Sequence, residues 1–151
     1  MAVSLLYNPT PLESYPIEIK EVEVQTEKEE TRKFSERAEK LAEAIVHLET
    51  GGNCHARGQS GETGCFQFMS STWRLWSERV FGYVAPQTSE NEMYVALTKI
   101  QYHIDEGYSD GEIALIWNQG NPSSCKSGVN RFGVPYDSCA YKAKILAYLN
   151  Q

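Results

Sequence analysis

The chain has 151 residues, 41% of them hydrophobic and 23% charged, which suits one globular domain with a real core. The net charge of −6 argues against a nucleic-acid partner, because binding phosphates needs clustered Lys and Arg. No apolar run approaches the roughly 20 residues of a membrane helix, and no charged-then-apolar export segment opens the chain.

Residues 1–32 read as a flexible, acidic N-terminal tether. They contain Pro9, Pro11 and Pro16, and the charged run Glu27-Lys28-Glu29-Glu30. The globular domain is expected over residues 33–151. Its first helix should run from about Arg32 to Glu49, since Phe34, Ala38, Leu41, Ile45 and Leu48 recur at helical steps and draw one apolar stripe. Gly51 and Gly52 then allow the chain to leave the helix. Glu49 therefore sits in a last turn, where the negative end of the helix dipole disfavours its anion. That repulsion and any burial raise its pKa, as a general acid working near neutral pH requires. Taken alone, Glu49 reads rather as a solvated residue in a frayed last turn.

A Gly-rich loop follows to about Phe68, with room for a small hairpin over Gly58–Phe68. A second helix is expected from Ser70–Thr72, through Trp73, Trp76 and Val80, to Gly82. Ser89-x-x-Glu92 has the pattern of a capping box. Met93, Ala96, Leu97, Ile100 and Ile104 behind it form a third helical stripe. A short helix should start at Asp110 as N-cap and end near Trp117. A Gly/Pro/Ser-rich loop spans Asn118 to Pro135, and a last helix begins near Asp137–Ser138 and carries Tyr141, Ile145, Tyr148 and Leu149. The expected class is all-α with a small loop or hairpin insertion, α+β at most.

Four ordered pieces carry a resemblance. Glu49-Thr50-Gly51-Gly52-Asn53-Cys54-His55-Ala56 is followed by Gly61-Glu62-Thr63-Gly64-Cys65-Phe66-Gln67-Phe68-Met69-Ser70-Ser71-Thr72. Then come Ala114-Leu115-Ile116-Trp117-Asn118-Gln119-Gly120-Asn121-Pro122 and, last, Asp137-Ser138-Cys139-Ala140-Tyr141-Lys142-Ala143-Lys144-Ile145. The set resembles the soluble lytic transglycosylases and, more distantly, the goose-type lysozymes. It covers most of residues 41–149.

The resemblance implies a lysozyme-like domain that cleaves peptidoglycan, with Glu49 as acid and base on the bond from N-acetylmuramic acid to N-acetylglucosamine. A transglycosylase of this kind uses the sugar's own 6-hydroxyl and needs one carboxyl rather than the usual pair. Gln67, Asn118 and Tyr141 match the family's substrate-binding Gln, the Asn beside the cleaved bond, and the Tyr that orients the Glu. Each also has a plain structural role: Gln67 satisfying loop backbone, Asn118 ending a helix, Tyr141 filling core. Trp117, Phe66, Phe68 and Tyr136 are candidate sugar platforms or, equally, core.

Besides Ser70, which replaces a Pro at the next helix start, the chain departs from the family pattern at three positions. Glu62 replaces an Ala and puts a second carboxylate beside the site, which opens the hydrolytic, lysozyme-type alternative. Gly58 stands where Ser is frequent, and Trp117 replaces a Tyr. A further alternative, of another class, is a non-catalytic glycan-binding module of a wall-spanning machine.

Cys54, Cys65, Cys125 and Cys139 lie in or beside the two Gly-rich loops. Disulfides are expected, with local pairing preferred over a zinc site at Cys54, His55 and Cys65. No cofactor or metal is implied. The expected partner is the glycan strand, met by a monomer tethered through its N-terminal segment to a wall-spanning or membrane-bound assembly. The expected location is periplasmic, extracellular, or bound to cell wall or virion.

Overall fold

The computed structural model describes residues 34–151, so the tether expected over residues 1–32 lies outside the described residues. The described part is mostly helical, with one two-stranded hairpin. In chain order the elements are α1 (Glu36–Thr50), α2 (Ser70–Phe81), α3 (Ser89–Asp105), α4 (Asp110–Gln119), β1 (Ser127–Val129), β2 (Pro135–Asp137) and α5 (Ser138–Leu149).

Helix α1 begins where Ser35 turns its hydroxyl onto the Ala38 amide, and it ends at Gly51 in the left-handed conformation (φ 61°). Its stripe buries Ala38, Leu41 and Ile45 completely. This face packs against α3 and α5, while α4 packs on α5 and α2 on α3. Phe66, Val95, Ile100, Ile113 and Ile145, all fully buried, complete the core. Burial of each such side chain contributes about 1.5–3 kcal/mol relative to leaving it exposed.

Three expectations need correction. Helix α3 is capped by Thr88, whose hydroxyl accepts from the Asn91 amide, rather than by Ser89. Glu92 does not reach back to a cap: it is 1% exposed and points into the protein. Consistent with that, the buried face of α3 is Glu92, Val95, Ala96, Lys99 and Ile100, while Met93 faces out. Helix α4 is capped by Ser109 rather than Asp110. Ser109 and Glu112 form a reciprocal capping box, so the same side-chain chemistry acts one residue earlier.

The third correction concerns the hairpin, which lies in the second loop rather than the first. Ser127, Gly128 and Val129 pair antiparallel with Asp137, Tyr136 and Pro135. The side chain of Asn130 shapes its tip by accepting from the Phe132 and Val134 amides. The Gly58–Phe68 loop holds only isolated bridges, Thr63 meeting both Arg57 and Phe68. Three-residue, mainly exposed strands cannot hold themselves together. This pair is closed from outside by the Cys125–Cys139 disulfide and by Ser138, which is fully buried, accepts from the Lys126 amide and donates to Gln119 Oε1.

The second disulfide, Cys54–Cys65, closes the first loop. Both bonds follow the local pairing expected from the sequence and leave no free cysteine among the described residues. By chain entropy, loops of this size contribute very roughly 3 kcal/mol each. No helix among the described residues is long and apolar enough to cross a membrane.

Candidate functional site

The end of α1 presents Glu49 to a cavity of about 780 Å³, also lined by Glu62, Asn118, Tyr136, Tyr141 and Lys144. Two contacts fix this helix end: the Gly51 amide closes the last turn onto Val46 and His47 carbonyls, and the Thr50 hydroxyl lies 3.0 Å from the Cys65 carbonyl. Tyr141, three residues into α5, donates its hydroxyl to Glu49 Oε1 at 2.7 Å.

Burial is the chief cause that pushes the Glu49 carboxyl up to about 7. The Tyr141 hydrogen bond opposes the shift, and the negative charge of Glu62 adds to it. Desolvation and the neighbouring Glu49 hold the Tyr141 phenol well above its usual value of 10, so it remains a donor. The result is a carboxyl that is part acid and part base at neutral pH, locked in one rotamer by a phenol.

Glu62 belongs to the same cavity. It is half-buried, and its Oε2 accepts from the Ser60 amide at 3.0 Å. Gly58 makes room for it: a Cβ at position 58 would overlap Glu62 Oε2 and lie 2.8 Å from Gln67 Oε1. The Gly at 58 and the Glu at 62, two separate departures in sequence, are therefore one steric arrangement. Ser60 also links the two loops, since Asn130 of the hairpin turn donates to its hydroxyl at 2.7 Å.

Gln67 and Trp117 line a neighbouring cavity of about 440 Å³, which shares Asn118 and Gln119 with the first. Gln67 is the one non-glycine residue with positive φ (51°) among those described. Its amide nitrogen donates to the Gly64 and Ala56 carbonyls at 2.8 and 3.2 Å. Gln67 thus satisfies loop backbone and still turns its Oε1 toward Gly58 as an acceptor. Asn118 is exposed, borders both cavities and stands in the last turn of α4.

The aromatic candidates divide. Phe66 is fully buried, its ring 5.8 Å from that of Trp117 and 6.2 Å from that of Phe68, so it is core that supports Trp117. Phe68 is 3% exposed and packs on Trp73. The Trp117 indole donates to the Phe66 carbonyl, and one ring face is covered by Lys99. Tyr136 of β2 keeps access to the first cavity.

Sequence reasoning missed Glu92 and Lys99, because both occur on a helix face that reads as solvated. Glu92 Oε2 accepts from the Cys65 amide at 2.8 Å, and Oε1 accepts from Gln87, which also holds the Thr63 carbonyl. A Cβ on Gly64 (φ 86°) would overlap this carboxyl. Glu92 is the internal post on which the Glu62–Gln67 loop is shaped. Comparison with family models, curated proteins and solved structures finds no match.

Proposed function

We propose that the chain cleaves the β-1,4 bond between N-acetylmuramic acid and N-acetylglucosamine in peptidoglycan, as a lytic transglycosylase with Glu49 as its only acid and base. The observation that carries this reading is the Glu49 carboxyl itself: half-buried at a helix end, held by Tyr141 at 2.7 Å, poised near 7 and open to a cavity. The ordered resemblance to soluble lytic transglycosylases supports it.

Glu49 gives its proton to the glycosidic oxygen as the bond to C1 breaks, and the N-acetylglucosamine hydroxyl leaves. The resulting carboxylate takes the proton from the 6-hydroxyl of the muramyl sugar. O6 then closes on C1, giving a 1,6-anhydro end with no water consumed. A carboxyl near 7 serves both halves, because neither protonation state is far from reach. Tyr141 stabilises the carboxylate between the steps, and Asn118 has amide groups suited to the acetamido sugars. The two disulfides fit an oxidising setting. We place the reaction in the periplasm, outside the cell, or on a wall or virion, with glycan strands as the partner.

A second reading, hydrolysis, is favoured by one observation: Glu62 is anchored in the same cavity and is felt by Glu49. A second carboxylate activates water when the pair stands roughly 6.5–9.5 Å apart. Clearing of a purified cell-wall suspension tests both readings. Wild type should clear it and Glu49→Gln should not. Clearing by neither would leave only a glycan-binding module, and equal clearing by the two would remove Glu49 as the acid. Glu62→Gln should keep most activity in the lyase and lose it in the hydrolase.

A further inference from the structure

Among the described residues, Lys99 has no counter-ion. It is 7% exposed on the inner face of α3, with Nζ 4.5 Å from the Trp117 ring centroid and 5.8 Å from that of Trp76. The ion pairs among the described residues are Arg37–Asp110 and Lys40–Glu36, both remote from it in the chain. One turn along α3, His103 has both ring nitrogens buried without a hydrogen-bond partner among the described residues, packed edge-on against Trp76 and Tyr108. Both side chains line the 440 Å³ cavity beside Asn118 and Gln119.

A desolvated ammonium is costly unless something neutralises it. Two indole faces offset part of that cost. The remainder is an unmet demand for an anion, felt in a cavity large enough to admit one. Burial lowers Lys99 to about 8, so it still carries its charge at neutral pH. Burial, aided by the charge of Lys99, lowers His103 to about 4 and keeps it neutral. One cation among neutral amides and rings matches a monoanion better than a doubly charged phosphate.

We propose that this cavity is a carboxylate-binding subsite, with Lys99 as its cation and Trp76 and Trp117 as its walls, and that it takes a free carboxylate on the peptide branch of the glycan. The inference rests on the peptidoglycan reading above. The geometric link is that Asn118 and Gln119 line both this cavity and the one holding Glu49, so a sugar at the first site can present its branch to the second.

The test is fluorescence titration of the full chain, read through the two tryptophans on Lys99. The ligands are N-acetylmuramyl-L-alanyl-D-isoglutamine and the same compound with its carboxyl converted to an amide, with acetate against acetamide as a second pair. The acid should bind wild type about tenfold tighter than its amide, as expected for a hydrogen bond to a charged group. That preference should vanish in Lys99→Met and persist in Lys99→Arg. Equal binding of acid and amide by wild type, a measurement that needs no variant, would overturn the proposal. So would a preference that survives Lys99→Met. Tight binding of acetate with rejection of the muramyl peptide would overturn the glycan as its source. Wall cleavage by the same protein separates the two failures: cleavage without acid preference removes only the subsite, whereas neither cleavage nor binding removes the functional reading as well.

Discussion

Tyr141 and Glu62 act on the Glu49 carboxyl in opposite directions, and burial outweighs both. The phenol favours the anion, so Tyr141→Phe should raise the Glu49 pKa further while the ring stays packed. In a pH profile of kcat/KM, wild-type activity should fall as pH rises through about 7, where the acid is lost. The variant's falling limb should lie at higher pH, with kcat reduced roughly tenfold or more because the rotamer is no longer held. An unmoved limb would show that the hydroxyl does not act on Glu49.

The same carboxyl should weaken the fold in a defined pH window. An unfolded Glu titrates near 4.5, the folded one near 7. Between these values the native state keeps a proton that the unfolded state releases, so stability falls as pH rises through the window. Glu49→Gln removes the penalty. Urea midpoints of variant and wild type should nearly coincide at pH 4. At pH 8 the variant should be more stable by roughly 1–3 kcal/mol, after discounting for the partial exposure of the group. A gain of equal size at both pH values would contradict this origin.

At the scale of elements, the first loop depends on α3. Glu92 satisfies the Cys65 amide and Gln87 inside the protein, and Gly64 leaves it room. Glu92→Leu should destabilise by about 2–4 kcal/mol in urea unfolding, because two donors lose their acceptor where water does not replace it. Glu92→Gln should cost less, since it keeps an acceptor oxygen. A Leu variant as stable as wild type would show that the loop shapes itself.

These elements also show what the sequence could reveal. Helices α1, α2 and α5 were legible because apolar spacing and end signals agree there: Leu41, Ile45 and Gly51 all point to one helix. Helix α3 was legible in extent but not in orientation. Ser89-x-x-Glu92 satisfies a capping pattern, yet the Cys65 amide, remote in sequence, draws Glu92 inward and brings Lys99 with it. The hairpin was illegible for a different reason. Its strands are short and mostly exposed, and the disulfide and Ser138 that hold them act from outside the strands. In the site, Glu49, Tyr141 and the cysteine pairs were legible. The accommodation of Glu62 by Gly58 needed coordinates, because no local pattern announces that a missing Cβ makes room for a carboxylate four residues away.

Across the whole molecule, two loops closed by disulfides and joined through Asn130 and Ser60 surround one helix end. Packing of α1 on α5 sets the distance between Glu49 and Tyr141, residues 92 positions apart in the chain. The protein is acidic, with a net charge of −6. It places Lys126 and Lys144 on the first cavity, together with Glu49, Glu62 and Asp137, and Lys99 on the second.

The proposal that Glu49 alone cleaves a glycan strand without water is tested most directly by mass spectrometry of the soluble products released from purified peptidoglycan. Wild type should give 1,6-anhydro-muramyl ends and Glu49→Gln none. Reducing muramyl ends, heavier by one water, would contradict the lyase and make Glu62 the base of a hydrolase. No released fragments from wild type would contradict catalysis on this substrate altogether.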